Sequence, residues 1–174
     1  MNRPYRYVGP PEIRARVAGQ AGGTEIRTAA HVSNWAKRTA QEVGGDVPLA
    51  ATFVIDLAGR LLIADRRSEH IACASGGDVL AAGEMFFDCN PGQSGSVVTV
   101  VEVSNQSTGY CPEPQSWPTV AAALERAGLA HPGEFTTTCV FRRCPGCGSR
   151  NVVKDGWFKC DVCGHDLPAE WNFD

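Results

Sequence analysis

Four cysteines carry the clearest chemistry in this sequence. Cys144 and Cys147 form one Cys-x-x-Cys pair, Cys160 and Cys163 form another, and 12 residues separate the pairs. Two thiolates at this spacing grip one ion from a single tight turn. Two such pairs complete a tetrahedral four-sulfur shell, the arrangement that suits zinc. Four thiolates leave no open coordination position, so one zinc ion here is expected to be structural and not catalytic. Gly146, Gly148 and Gly164 supply the backbone freedom that the turns need. The remaining cysteines, Cys73, Cys89, Cys111 and Cys139, show no short repeated spacing and read as free thiols.

Between the two pairs, 151–154 and 157–159 read as short strands joined by an Asp155-Gly156 turn. The stretch from about 142 to 166, with its two cysteine knuckles and this hairpin, resembles a zinc ribbon. The resemblance implies a metal-dependent module, because so short a segment cannot build a core without its ion. It also implies contact with proteins or nucleic acid, although residues 144–174 carry a net charge of −2. His165 is expected at the surface or behind the ligands, since the cysteines already fill the shell. Trp171 and Phe173 in the tail are expected to fold back and become buried. Removing the metal is expected to unfold the module and expose Trp157.

A second group of residues offers acid–base chemistry. If Gly76-Gly77 is the centre of a two-residue hairpin turn, strands 68–75 and 78–88 pair with Glu69 opposite Glu84 and Arg67 opposite Phe86. Like charges placed so are destabilising. Arg66 or Arg67, a shared proton or a bound cation is then expected to compensate. A coupled carboxylate pair can hold one raised pKa, useful in general acid–base catalysis. His70 falls on the other face, across from Gly83. The plainer reading is a solvated lattice of Arg and Glu.

The loop 104–116 is the third candidate. Asn105, Gln106, Ser107, Thr108 and Tyr110, with Arg67, are the side chains expected to meet a polar small molecule or a peptide. Cys111 becomes a candidate nucleophile if the following helix N-terminus lowers its pKa. A buried, inert thiol is the alternative, because free cysteine is among the most buried residue types.

These groups need elements to position them. The chain has 174 residues, 43% hydrophobic and 20% charged, enough for one domain and a small appendage. Apolar residues at Val32, Trp35, Ala36, Ala40 and Val43 predict a helix over 29–43, stopped by Gly44-Gly45. Strands are expected over 51–56 and 60–65, around the connection 57–59, and over 97–103. A polar loop is expected over 89–95. Ser116 is a candidate N-cap for a second helix with Trp117, Val120, Ala121 and Leu124 as its stripe, ended by Gly128. A last strand is expected over 134–142. Tight turns favour antiparallel pairing. The expected fold class is α+β: a mainly antiparallel sheet, two helices on one face and a C-terminal zinc ribbon. The expected division is a basic N-terminal arm over 1–28, an α+β domain over 29–143, and the ribbon with its tail over 144–174.

Charge is uneven, +5 over 1–38 and −6 over 39–143, with −3 for the whole chain. That balance argues against coating nucleic acid by bulk charge. The basic arm, with Tyr5 and Tyr7 among its arginines, is expected to dock on the acidic middle of the chain. The longest near-apolar run, 47–55, is far short of the roughly 20 residues a membrane span needs. With no apolar signal core at the start and disulfides scarce in reducing compartments, the expected location is the cytoplasm. Three readings of function follow. The first is a zinc-containing binding or regulatory protein that presents loop 104–116 to a protein or small molecule. The second is a small hydrolase or transferase using Glu69, His70, Glu84 or Cys111. The third is a nucleic-acid-binding ribbon protein.

Overall fold

Strand β2 (Leu49–Asp56) fixes the architecture, because its residues from Leu49 to Ile55 are all buried. A strand that is apolar on both sides must be covered on both sides. The computed structural model describes residues 3–39, 47–92 and 95–173. β2 is the middle of a five-stranded sheet with β1 (Thr24–Ile26), β3 (Leu61–Asp65), β4 (Val79–Gly92) and β5 (Gly95–Val103). The spatial order is β1-β3-β2-β4-β5, and every neighbouring pair is antiparallel. The fold is thus α+β, as the turn pattern implies. Among the described residues no helix is long and apolar enough to cross a membrane.

Ala51, Phe53 and Ile55 pack in one core with α2 (Ala29–Ala36) and α4 (Trp117–Arg126), through Val32, Trp35, Val120 and Leu124. Val54 packs in a second core with Tyr5, with Val17 of α1 (Pro11–Val17), and with Ile71 and Cys73 of α3 (His70–Cys73). Helices therefore cover both faces of the sheet, where the sequence reading places them on one. Among the described residues four α-helices stand where two are expected. α1 has Pro at its start, a position that tolerates the missing N–H.

The largest correction concerns 68–78. This segment is not a strand, and Gly76-Gly77 is not a hairpin turn. α3 ends in a left-handed cap at Ser75 (φ 52°), with Gly76 N donating to Ile71 O at 2.8 Å and Ser75 N to Ala72 O at 3.0 Å. Glycines after a helix serve this motif as readily as they serve a tight hairpin. β4 pairs instead with β2, so Glu84 lies opposite Thr52 and Gly83 opposite Phe53. The expected facing of Glu69 with Glu84, and of Arg67 with Phe86, does not occur.

Smaller differences have local causes. α2 presents the expected face but stops at Ala36, where Arg38 N and Thr39 N turn back to Trp35 O and Ala36 O in a tightened last turn. Its expected continuation over 40–43, with the Gly44-Gly45 stop, lies outside the described residues. Of the expected loop over 89–95, residues 89–92 and 95 instead belong to strands β4 and β5, with Pro91 paired to Ser96, and 93–94 lie outside the described residues. Ser116 takes the N-cap position of α4 as expected, but its side chain makes no cap bond; its hydroxyl donates to Glu113 O at 2.7 Å within a 3-10 turn, Pro114–Ser116. The expected last strand shortens to β6 (Val140–Arg143), which pairs with β7 (Arg150–Val153) and not with the main sheet. Residues before it run beside β5, where Thr136 N donates to Val103 O at 2.8 Å.

One contact decides how the chain leaves the sheet. After β5 the backbone of Ser104 and Asn105 crosses directly over Gly83 of β4. A Cβ at Gly83 would lie 1.9 Å from Ser104 O, and backbone cannot yield as a flexible side chain does. Ser104 N donates to Glu84 O at 2.9 Å and holds the crossing. Gly83→Ala is expected to destabilise the fold by about 3 kcal/mol or more, at the upper end of what overpacking costs. Urea unfolding monitored by circular dichroism checks this, and a loss below about 1 kcal/mol contradicts it.

Candidate functional site

The cysteine module is built from two knuckles that repeat the same geometry. In the first, Cys144 N donates to Ser149 O at 2.8 Å and Gly148 N to Cys144 O at 2.9 Å. In the second, Cys160 N donates to His165 O at 2.8 Å and Gly164 N to Cys160 O at 2.9 Å. Gly148 and Gly164 hold φ of 75° and 72°, values that only glycine adopts readily. Backbone amides turn toward the sulfurs: Cys147 N lies 3.5 Å from Cys144 Sγ and Val162 N 3.4 Å from Cys160 Sγ. The first cysteine of each knuckle is buried and the second is exposed. Between them, Lys154 and Trp157 pair across the Asp155-Gly156 turn as expected, with Trp157 N donating to Lys154 O at 2.8 Å.

The four sulfurs lie within 4.8 Å of one another. Cys144 Sγ is 3.5 Å from Cys163 Sγ, and Cys147 Sγ is 3.6 Å from Cys160 Sγ. Sulfurs about 2.3 Å from a central ion in a tetrahedron stand about 3.8 Å apart. The donor set therefore fits a tetrahedral metal ion. Ser149 Oγ lies 3.2 Å from Cys147 Sγ, and the hydroxyl and amide of Ser149 pull this thiol down to about 6, which favours the thiolate a metal requires. His165 is exposed and contributes its backbone carbonyl, not its ring, to the second knuckle.

The module and its tail grip the body of the protein. Phe173 is buried, and Trp171 packs edge-on against Tyr5 with ring centroids 5.6 Å apart. Trp171 Nε1 donates to Cys111 O at 2.7 Å. Arg150 donates to Thr108 O. Buried Arg142 donates to Ala169 O at 2.6 Å, and its guanidinium lies 3.7 Å from the Glu113 carboxylate. From the other side Arg3 reaches the same carboxylate at 3.4 Å, so the basic start of the chain does meet an acidic residue of the middle section. Trp157 is already 67% exposed, which corrects the expectation that metal loss uncovers it; Trp171 is the tryptophan placed to report that event.

The loop over 104–113 lies largely inside. Asn105 is fully buried, and its amide donates to Pro112 O and Cys139 O at 2.8 and 2.7 Å while accepting from Cys139 N at 2.7 Å. Tyr110 is fully buried and donates to Gly77 O at 2.5 Å. Ser107 is buried with no partner for its hydroxyl among the described residues. Gln106 and Thr108 are exposed. Past the loop's buried half, Glu113, Ser116 and Thr119 line a cleft of about 230 Å³ with Arg3, Tyr5 and Leu80.

The catalytic candidates do not assemble. Cys111 is fully buried, its Sγ lies 3.5 Å from Thr108 O, and burial pushes its thiol up to about 12. Burial outweighs the lowering by the Arg150 and Arg143 charges, and no base is bonded to the thiol among the described residues. Glu69 is exposed just before α3, and Arg67 is exposed in the turn after β3, its N–H donating to Asp65 Oδ1 at 3.0 Å. Glu84 is half-buried on β4. His70 does meet Gly83, although by a different route from the expected hairpin: its Nε2 lies 3.0 Å from Gly83 O. The residues that sequence reasoning misses are Arg142, Arg150 and Asn151. Each is a polar side chain in a short strand, and only the pairing of β6 with β7 reveals which way it is used. The chain matches no family model and has no significant match among curated proteins or solved structures.

Burial lowers the His70 pKa from its ordinary value, with the Gly83 carbonyl partly offsetting that effect. The unfolded chain takes up this proton near pH 6.5, and the folded chain resists it to lower pH. Stability is therefore fully present above the unfolded value and falls as pH drops below it. His70→Gln, which keeps a donor for Gly83 O, is expected to flatten this stretch of the profile. Urea melts from about pH 7.5 to about 5, on either side of the ordinary histidine value, test it; an equal slope in both proteins contradicts it.

Proposed function

We propose that this chain is a zinc-dependent binding protein in which the ribbon holds one ion and braces the loop 104–116 for a polar partner. Cys144, Cys147, Cys160 and Cys163 supply the ligands. Zinc suits four thiolates in a closed tetrahedral shell, where it organises the fold and offers no position for a substrate. Apparent binding energies of structural zinc are on the order of 10 kcal/mol, enough to fold a module this small.

The observation that carries the reading is that the ribbon and its tail grip the loop at three successive places: Arg150 at Thr108, Trp171 at Cys111 and Arg142 at Glu113. A loop fixed at its backbone can present a defined set of groups at low entropic cost. Those groups are Gln106 and Thr108 on the surface, and Glu113 and Ser116 along the cleft with Arg3 and Tyr5. They suit a peptide or a small molecule rich in hydrogen-bonding groups. Asn105 and Tyr110 serve the loop's own structure. A hydrolase or transferase gains no support, since Cys111 is sealed and His70 is tied to the backbone.

Elemental analysis is expected to find one zinc per chain. Complete chelation is expected to raise hydrogen exchange at Cys111 and neighbouring loop amides at least tenfold and to shift Trp171 emission to the red. The sheet's circular dichroism should survive. Loop amides that stay equally protected without metal would falsify the bracing role.

A further inference from the structure

Asn151 sits in β7, opposite Arg142, with only 5% of its surface exposed. It is not a metal ligand and lies outside both Cys-x-x-Cys turns. Its Nδ2 donates to Ser149 O at 2.9 Å, and its Oδ1 accepts from Asp161 N at 3.0 Å. Ser149 O is the same carbonyl that receives Cys144 N and closes the first knuckle. Asp161 N lies inside the second knuckle, directly after the ligand Cys160. One buried amide thus joins the two turns that carry the two thiolate pairs.

We propose that Asn151 is a positioning residue for zinc, one that sets the spacing of the two knuckles before the ion arrives. This rests on the zinc reading above and adds a role for a residue outside the ligand set. Four thiolates repel one another until a cation sits between them. Without this tie, the hairpin from β7 to Lys159 and the small apolar cluster of Cys144, Cys160 and Leu167 set the second pair's place against the first. Asparagine suits the task because it offers a donor and an acceptor on one short planar group. Aspartate keeps the acceptor for Asp161 N but turns a second acceptor toward Ser149 O. Alanine keeps neither bond and leaves both backbone groups without this partner.

Groups that orient metal ligands from behind typically change metal affinity by about 10–100-fold when removed. The experiment uses the full chain loaded with zinc and titrated against a chromogenic chelator. Asn151→Ala and the isosteric Asn151→Asp are both expected to bind zinc about 10–100-fold more weakly. Cobalt loaded into Asn151→Ala should still show the absorption of a tetrahedral four-thiolate site, which establishes that the ligands are present and the module folds. Val152→Ala, in the same strand but packed against Cys111, Phe141 and Phe173, controls for general weakening of the ribbon and should stay within about threefold of wild type. Either Asn151 variant binding zinc like wild type overturns the proposal, and so does Val152→Ala losing as much as Asn151→Ala. A wild-type chain that takes up no zinc overturns the zinc reading and the proposal together, an outcome distinct from the other two.

Discussion

Sulfur crowding is the constraint on which the C-terminal cysteine module depends. Sulfurs 3.5 Å apart are tolerable when protonated or when a cation compensates their charge, and a chain that turns backbone amides toward them favours the charged form. The knuckle geometry answers this locally, through glycines at positive φ and paired backbone bonds that are the same in both halves. It also explains why the module needs so little core. Cys144, Cys160 and Leu167, with Val153 and Phe158 against them, are nearly all the apolar burial it has.

The body solves a different problem. A sheet whose middle strand is buried on both faces needs two covers, and the chain supplies them from helices scattered through the sequence. The N-terminal segment closes the second face by pairing Tyr5 with Val79, with Tyr5 N donating to Val79 O at 2.7 Å. Tyr5 then touches both Glu113 N and Trp171, so the start of the chain, the loop and the tail meet at one ring. The crossing of Ser104 over Gly83 sends the loop inward toward that meeting point, and this is why so polar a segment ends up buried.

The sequence made the knuckles readable because ligand spacing is local and its chemistry admits few solutions. The hairpin of β2 and β3, strand β5 and the apolar stripe of α4 were readable for the same reason: each repeats its period within a few residues. What failed was the part where a local signal has two physical uses. Gly76-Gly77 serves a helix cap as well as a turn, and choosing the turn created a carboxylate pair that the sheet does not contain. The loop failed for another reason. Asn105 and Tyr110 look like recognition groups, yet their partners are backbone carbonyls from Gly77, Pro112 and Cys139, distant or unremarkable in sequence. Asn151 was invisible because its value comes from joining Ser149 to Asp161 across a hairpin.

The repeated inside–outside placement of the cysteines gives the site a direction. Cys144 and Cys160 back onto protein, while Cys147 and Cys163 face solvent. A competing thiol or an oxidant arriving from solvent meets the two outer sulfurs first. An ion held here would therefore be covered by protein on the side of the inner pair and open to solvent on the side of the outer pair.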